Sequence, residues 1–285
     1  MPAAATHHRQ AVVAQGFAPA YAPEPLVVKH LGRTAFEETA RAMQAFTAAR
    51  DAATDDEIWI TEHTPVYTLG LAGKREHILD GEHVLDAHGI PVVQTDRGGQ
   101  VTYHGPGQVI AYLLVDLKRR GLKVRELVRM IEDAVIATLA ELGVAGRRRA
   151  GMPGVYVGSA SDGAKIAALG LKVKSAGTYH GVSLNVDCDL APFAGINPCG
   201  YAGLRVTSLK SLSVGASGAL VGERLAAHLV AGFGAAPSAT QGGPSATRGG
   251  PSATRGGPSA THGGPSATHG GPSTTRGGAP TGVND

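Results

Sequence analysis

Seven consecutive apolar residues, Val109-Ile-Ala-Tyr-Leu-Leu-Val115, constrain most strongly how this chain can fold. A continuous, β-branched-rich run suits a central strand covered on both faces. It leaves the densest polar stretch of the chain, Arg97-Gly-Gly-Gln-Val-Thr-Tyr-His-Gly-Pro-Gly-Gln108, where six polar or charged side chains stand among four glycines and a proline. Pro91-Val-Val-Gln94 enters that stretch as a further strand, so the glycine-rich segment is carried between two strands. Glycine permits close backbone approach to a ligand and positive φ. Gly98, Gly99, Gly105 and Gly107 therefore read as a shaped loop from which Arg97, Thr102, Tyr103 and His104 project. A plain glycine-rich hairpin with exposed polar residues fits the same composition. A nucleotide fingerprint does not, because neither G-x-G-x-x-G nor G-x-x-x-x-G-K-[ST] spacing is present.

The remaining elements alternate between strand and helix patterns. Leu26-Val-Val28 predicts a first strand, and Ala35 to Arg50 a helix with Phe36, Ala40, Met43 and Phe46 on one face. Thr34 and Glu37 are placed to form its capping box. Glu57–Thr61 follows as a strand and Pro65–Gly70 as a strand or turn, and Val124–Leu142 is the clearest helix, with Leu127, Val128, Ile131, Val135 and Leu139 in register and Gly143 as its stop. Gly154–Val157, Ile166–Leu171 and Val182–Val186 read as strands, and about Gly218–Leu229 as a last helix. Mixed order with strands outnumbering helices predicts an α+β (mixed α/β) sheet in one domain, residues 25–235.

Two segments fall outside that domain. Residues 1–24, rich in Ala, Pro and His, predict a disordered leader. Residues 236–285 carry Pro-Ser-Ala-Thr-X-Gly-Gly with a seven-residue period. The period is that of a coiled coil, but no apolar a and d positions exist. Lacking any hydrophobic residue larger than Ala, the repeat cannot offset the entropy of ordering. It predicts a flexible tail on which catalysis does not depend.

Charge and cysteine usage narrow the class. Of a net charge of +3, the tail's Arg248, Arg255, Arg276 and Asp285 account for two units. The near-neutral body lacks the clustered basic footprint of a nucleic-acid binder. Arg147-Arg-Arg149 is the one dense basic run; it reads as a solvated loop after a helix, or as a dock for an acidic protein. No run approaches the ~20 apolar residues of a membrane span, and the N-terminus lacks the order of a secretory signal. The expectation is a cytoplasmic protein, free of membrane and nucleic acid. Cys188 and Cys199 are too few for a disulfide framework or a four-thiolate zinc site.

Cys199, in Ile196-Asn-Pro-Cys-Gly200, lies between proline and glycine in a turn, whereas Cys188 follows an apolar strand. A reactive thiol needs a nearby cation, histidine or helix N-terminus. Lys165, at the head of the strand Ile166–Leu171, is one candidate; His104 and His180, each before a glycine, are others. The alternatives are a structural cysteine, a strand-edge lysine and packing histidines.

Taken together, Arg97 to Gln108, Lys165-Ile-Ala-Ala-Leu-Gly170, His180-Gly-Val-Ser-Leu-Asn-Val186 and Asn197-Pro-Cys-Gly200 resemble the lipoyl(octanoyl) transferase family, in order and at matching spacing, from about Leu26 to Phe233. The resemblance implies a biotin/lipoate protein ligase-like fold, a mixed sheet flanked by helices. It implies octanoyl transfer from octanoyl-acyl carrier protein to a lysine on the lipoyl domains of 2-oxoacid dehydrogenase E2 subunits and the glycine cleavage H protein. It places the acyl-accepting thiol at Cys199 and its activating lysine at Lys165. It puts substrate-binding positions at Arg97, Gly98, Gly99, Gln100, Val101, Thr102, Tyr103 and His104, at Ala168, Leu169 and Gly170, and at Gly181, Val182 and Ser183. It implies neither cofactor nor metal. Burial is expected to lower the Lys165 pKa toward the working range, and Ala167, Ala168 and Gly170 are small enough to leave an apolar slot. The competing reading on the same fold is an ATP-dependent lipoate or biotin ligase, which needs no thiol.

Overall fold

The apolar run does become a strand covered on both sides. In the computed structural model, which describes residues 26–79, 89–160, 162–234 and 241–242, β6 is Gln108–Leu114 and every one of its residues is buried. Val109, Ala111 and Leu113 face one core, and Ile110, Tyr112 and Leu114 face another. The two-residue period of a strand thus splits one hydrophobic run between two layers. The expectations for residues 1–24, and for all of 236–285 but two residues, lie outside the described residues.

The other strands are β1 (Leu26–Thr34), β2 (Asp56–His63), β3 (Val66–Leu69), β4 (Val92–Gln94), β5 (Val101–His104), β7 (Gly146–Arg149), β8 (Met152–Val157), β9 (Ala164–Lys174), β10 (Gly177–Asn185) and β11 (Gln241–Gly242). The helices are α1 (Phe36–Ala49), α2 (Val124–Glu141) and α3 (Gly218–Gly232). Among the described residues, eight strands form one sheet in the order β11-β1-β2-β6-β10-β9-β8-β7, and β4-β3-β5 form a second. Parallel pairing at β1–β2 beside antiparallel pairing from β2 through β7 makes the large sheet mixed, as expected. α2 and α3 cover one face through Leu127, Ile131, Val135, Leu139, Val221, Leu225 and Leu229. α1 covers part of the other, where Met43 meets Trp59, Ile110 and Tyr179.

Two expectations need correction. Thr34 does not cap α1: it ends β1, Ala35 is the N-cap without a side-chain bond, and the Thr34 hydroxyl instead pairs with Thr39, Thr61 and His63. Parallel pairing of β1 to β2 draws that hydroxyl toward the sheet. Arg147–Arg149 is no solvated loop but the half-buried edge strand β7, and Arg148 is bonded to Glu132 of α2. Within the repeat, Gln241 and Gly242 pair with Lys29 and His30 at the other sheet edge.

One buried carboxylate ties the layers. Asp56, with no exposed surface, opens β2 and receives Arg50 from the end of α1 at 2.7 Å, Arg119 at 2.8 Å, the Arg120 side chain, and the Asp116 amide at 2.9 Å. Removing the central charge of such a cluster leaves buried cations uncompensated, which costs about 3–5 kcal/mol. Asp56→Ala is therefore expected to lose that much in denaturant titration, and a loss below about 1 kcal/mol would contradict the central role given to this carboxylate.

Candidate active site

The uncovered part of the α1 face holds a cavity of about 220 Å³ between the large sheet and the segment that links β4 to β5. Its floor follows from strand register. Ala168 on β9, Ser183 on β10 and Ile110 on β6 stand side by side, as do Gly170, Gly181 and Tyr112. Small residues over β9 and β10 leave the space, and Ile110 and Tyr112 close it on the β6 side. Phe36, the first residue of α1, stacks on the His104 and His180 rings at 6.2 and 6.4 Å and completes that end. Ala167, expected to border the slot, points instead into the main core, because neighbouring strand residues alternate faces.

The opposite end holds Lys165 and Cys199. Lys165 is only 4% exposed, and its Nζ donates to Cys199 Sγ at 2.9 Å and to the Pro153 carbonyl at 3.0 Å. The same ammonium lies 5.2 Å from the centre of the Tyr156 ring. Backbone bonds from Lys165 N to Arg205 O and from Thr207 N to Lys165 O fix the start of β9 beside the following strand-like segment. Gly154, at φ +120°, is the glycine this arrangement requires: a Cβ there would stand 2.6 Å from the Ala167 carbonyl and 3.3 Å from Lys165 Cε. Cys199 sits half-buried in a short turn at φ +57°, a conformation uncommon for a side-chain-bearing residue, between Pro198 and Gly200. The Gly200 amide closes that turn on the Asn197 carbonyl at 2.8 Å.

Electrostatics reverse one expectation. Burial does act to lower the Lys165 pKa, but the Cys199 sulfur and the Tyr156 oxygen outweigh it, so the pKa stands above the ordinary lysine value. Lys165 is the cation of this pair and not a neutral amine at rest. Cys188 behaves as the structural thiol: it is buried, and burial pushes it up to about 12.

The structure gathers Arg97, Gly99, Gln100, Val101, Thr102, His104, Lys165, Ala168, Leu169, Gly170, Gly181, Val182, Ser183 and Cys199 around the cavity. Two expected residues lie elsewhere. Tyr103 turns into the core of the small sheet against Tyr67 and Phe193, since β5 alternates and Thr102 and His104 take the cavity side. Gly98 lies behind the wall, its amide on the Leu171 carbonyl and its own carbonyl where a Cβ on Gly170 would be. Nor is the polar stretch wholly a loop, because Val101–His104 is strand β5, paired with β3. Arg97 is buried and spends its guanidinium on Thr68, at 2.6 Å to the carbonyl and 2.8 Å to the hydroxyl.

Sequence reasoning missed Phe36, Ile110, Tyr112, Met152, Pro153 and Tyr201 as lining residues. Phe36 and Ile110 look like core positions in any periodicity, whereas Asp96 carried a signal in adjoining Arg97. Its carboxylate holds His180 Nε2 at 3.1 Å and the Tyr179 hydroxyl. His180 adopts φ +60° inside β10, a strained choice for a non-glycine residue. His63 is a further buried histidine, bonded to the Tyr112 hydroxyl at 2.6 Å.

This domain, with a slot behind a lysine–cysteine pair, is a lipoyl protein ligase A/B catalytic domain, and the model of that family matches residues 35–230. A bipartite lipoate protein ligase from Thermoplasma acidophilum shares the fold with a TM-score of 0.63 at 15% identity, over 77% of this chain and 87% of that one. Lipoate-protein ligase A bound with ATP gives 0.60 at 15%, over 78% and 89%. In sequence the chain is similar to curated octanoyltransferases. That of Chromobacterium violaceum is 57% identical over 205 residues, which covers 72% of this chain and 94% of the relative. That of Thiobacillus denitrificans is 62% identical over 193 residues, 67% and 84% respectively. The chain belongs to the octanoyltransferase family, and it is an acyltransferase.

Burial gives the site a defined acid sensitivity. It holds His63 and His180 at about 4, below the ordinary value of 6.5, although the Asp96 carboxylate partly opposes the shift at His180. With folded values depressed, the unfolded chain takes up protons first, so the stability they contribute is full above about pH 6.5 and is lost toward about pH 4. Thermal melts through that window are expected to fall, and less steeply in His63→Phe. A level melting temperature would contradict neutral burial of these rings.

Proposed function

We propose that the chain transfers an octanoyl group from octanoyl-acyl carrier protein to a lysine of a lipoyl domain, through a thioester on Cys199 and without ATP. The observation that carries this reading is the 2.9 Å contact between Lys165 Nζ and Cys199 Sγ at one end of an apolar-ended slot. The proposed acceptors are the lipoyl domains of 2-oxoacid dehydrogenase E2 subunits and the glycine cleavage H protein, and the proposed setting is the cytoplasm. The catalytic domain would span residues 25–235.

In the resting site the Lys165 ammonium stabilises a Cys199 thiolate by charge and hydrogen bond. The thiolate attacks the donor thioester carbonyl. The carrier sulfur departs and takes a proton from Lys165, which is left neutral beside the new Cys199 thioester. The thiolate that held the Lys165 pKa up is then gone, and of the groups that opposed burial only Tyr156 is left. A lysine of the lipoyl domain, entering as the free amine, attacks the acyl carbon and yields its proton to Lys165. Cys199 leaves as thiolate, and the ion pair is restored. Exchange of one thioester for another is nearly isoenergetic and amide formation is downhill, so nucleotide activation is unnecessary.

The slot suits an unbranched acyl chain. β9 and β6 stand two strand spacings apart, about 10 Å. An extended eight-carbon chain with C–C bonds of ~1.5 Å covers about that distance. Laid over Ala168 and Ser183, its methyl end would meet Ile110 and Phe36. Each buried methylene contributes about 0.8 kcal/mol.

Single-turnover transfer from octanoyl-carrier protein to a lipoyl domain, without nucleotide, tests the reading. Wild type should complete it, and Lys165→Ala should slow it by about 100-fold or more, the usual contribution of a positioned proton-transfer group. Transfer that waits for ATP and free octanoate would instead assign the chain to the ligases.

A further inference from the structure

The Pro153–Gly154 peptide unit lies between two opposite charges. On one side its carbonyl accepts from Lys165 Nζ at 3.0 Å. On the other its N–H donates to Oε1 of Glu132 at 2.9 Å. Glu132 is a helix residue 6% exposed, and its second oxygen is held by Arg148 Nε at 2.8 Å. Arg148 is itself secured on the Arg129 carbonyl at 2.9 Å and on Asp133. A buried carboxylate on α2 is thus connected to the reacting pair by one amide group and two hydrogen bonds.

We infer that Glu132 is a positioning residue for the transfer reaction: it orients and polarises the Pro153–Gly154 peptide so that this carbonyl holds the Lys165 ammonium against Cys199. An amide whose N–H is bound by a carboxylate carries more negative charge on its oxygen, because hydrogen bonds in a chain polarise one another. The peptide also needs fixing, since Gly154 at φ +120° is free of the steric limits that hold other residues. Glu132 supplies both effects, and Arg148 fixes Glu132. This gives the middle arginine of the basic run a task inside the protein. The inference rests on the reading of Lys165 and Cys199 as the working pair.

The groups facing Lys165 are few. Cys199 and Tyr156 face it directly, Arg149 lies 5.1 Å from the Tyr156 ring centre, and Arg97 stands across the cavity. The Glu132 carboxylate acts on it only through the peptide and through space.

Alkylation of Cys199 by iodoacetamide, followed across pH and located by peptide mass, reads the pair without any acyl substrate. Glu132→Gln keeps an oxygen for the Gly154 amide but removes the charge. It should slow Cys199 alkylation at neutral pH by about tenfold and move the acidic limb of the profile upward. Glu132→Ala, which also frees the peptide, should slow it further, and octanoyl transfer should fall in the same order. Arg148→Lys, which weakens the anchor and keeps the carboxylate, should give an intermediate profile, and profiles taken well below each variant's melting temperature separate this effect from a loss of stability. A Glu132→Gln profile that superimposes on wild type, while Lys165→Ala abolishes the fast phase, would overturn the inference alone. If Lys165→Ala itself left the profile unchanged, the reading of the pair would fail first.

Discussion

A buried ammonium governs how this site is built. Taking the Lys165 head group out of water is costly unless charge and hydrogen bonds replace its hydration. At 4% exposure it has the Cys199 sulfur, the Pro153 carbonyl and the face of Tyr156. Each comes from a different part of the chain: Cys199 from a turn after β10, Pro153 and Tyr156 from β8, and Lys165 from the first residues of β9. Closing that arrangement demands a glycine at 154, a left-handed turn at Cys199, and a backbone tie between Lys165 and residues 205–207. A site assembled this way loses its geometry if any one supporting strand shifts.

The large sheet supplies the required rigidity and also sets the width of the slot. β6, buried on both faces, carries the core of α2 and α3 on one side and the far wall of the cavity on the other. Register with β10 and β9 then places small residues between that wall and the Lys165–Cys199 pair. The aromatic and histidine cluster of Phe36, His63, His104 and Tyr112 closes the apolar end with rings that burial keeps neutral. The Lys165–Cys199 pair thus stands at one end of the slot and the rings at the other, with the Arg97 guanidinium in the lining, held by its Gly98 and Thr68 partners.

Much of this was legible in the sequence, for identifiable reasons. Val109–Val115 and Val124–Leu142 have patterns that only a doubly covered strand and an amphipathic helix satisfy, and both elements formed within a residue or two of expectation. The glycines and polar residues around Arg97, with Lys165, His180 and Cys199, marked the site because such residues are poor core builders. What stayed hidden depends on tertiary contact. Phe36 and Ile110 are ordinary apolar residues until the fold leaves space beside them. Tyr103 misled because strand β5 is too short, at Val101–His104, to announce its own alternation. The Lys165 charge state turned on the balance between burial and a thiol 34 positions away, which no local pattern encodes. Glu132 likewise sits on a helix face that reads as plain packing until Gly154 is brought beneath it.

Intact-protein mass spectrometry after mixing with octanoyl-acyl carrier protein, in the absence of ATP and of any acceptor, tests the covalent pair most directly. One octanoyl adduct is expected, removable by hydroxylamine, mapping to Cys199 and not to Cys188, absent in Cys199→Ala and slow to form in Lys165→Ala. A protein that octanoylates a lipoyl domain under the same conditions yet never carries the adduct would mean direct transfer, and Cys199 would lose its place as the acyl carrier.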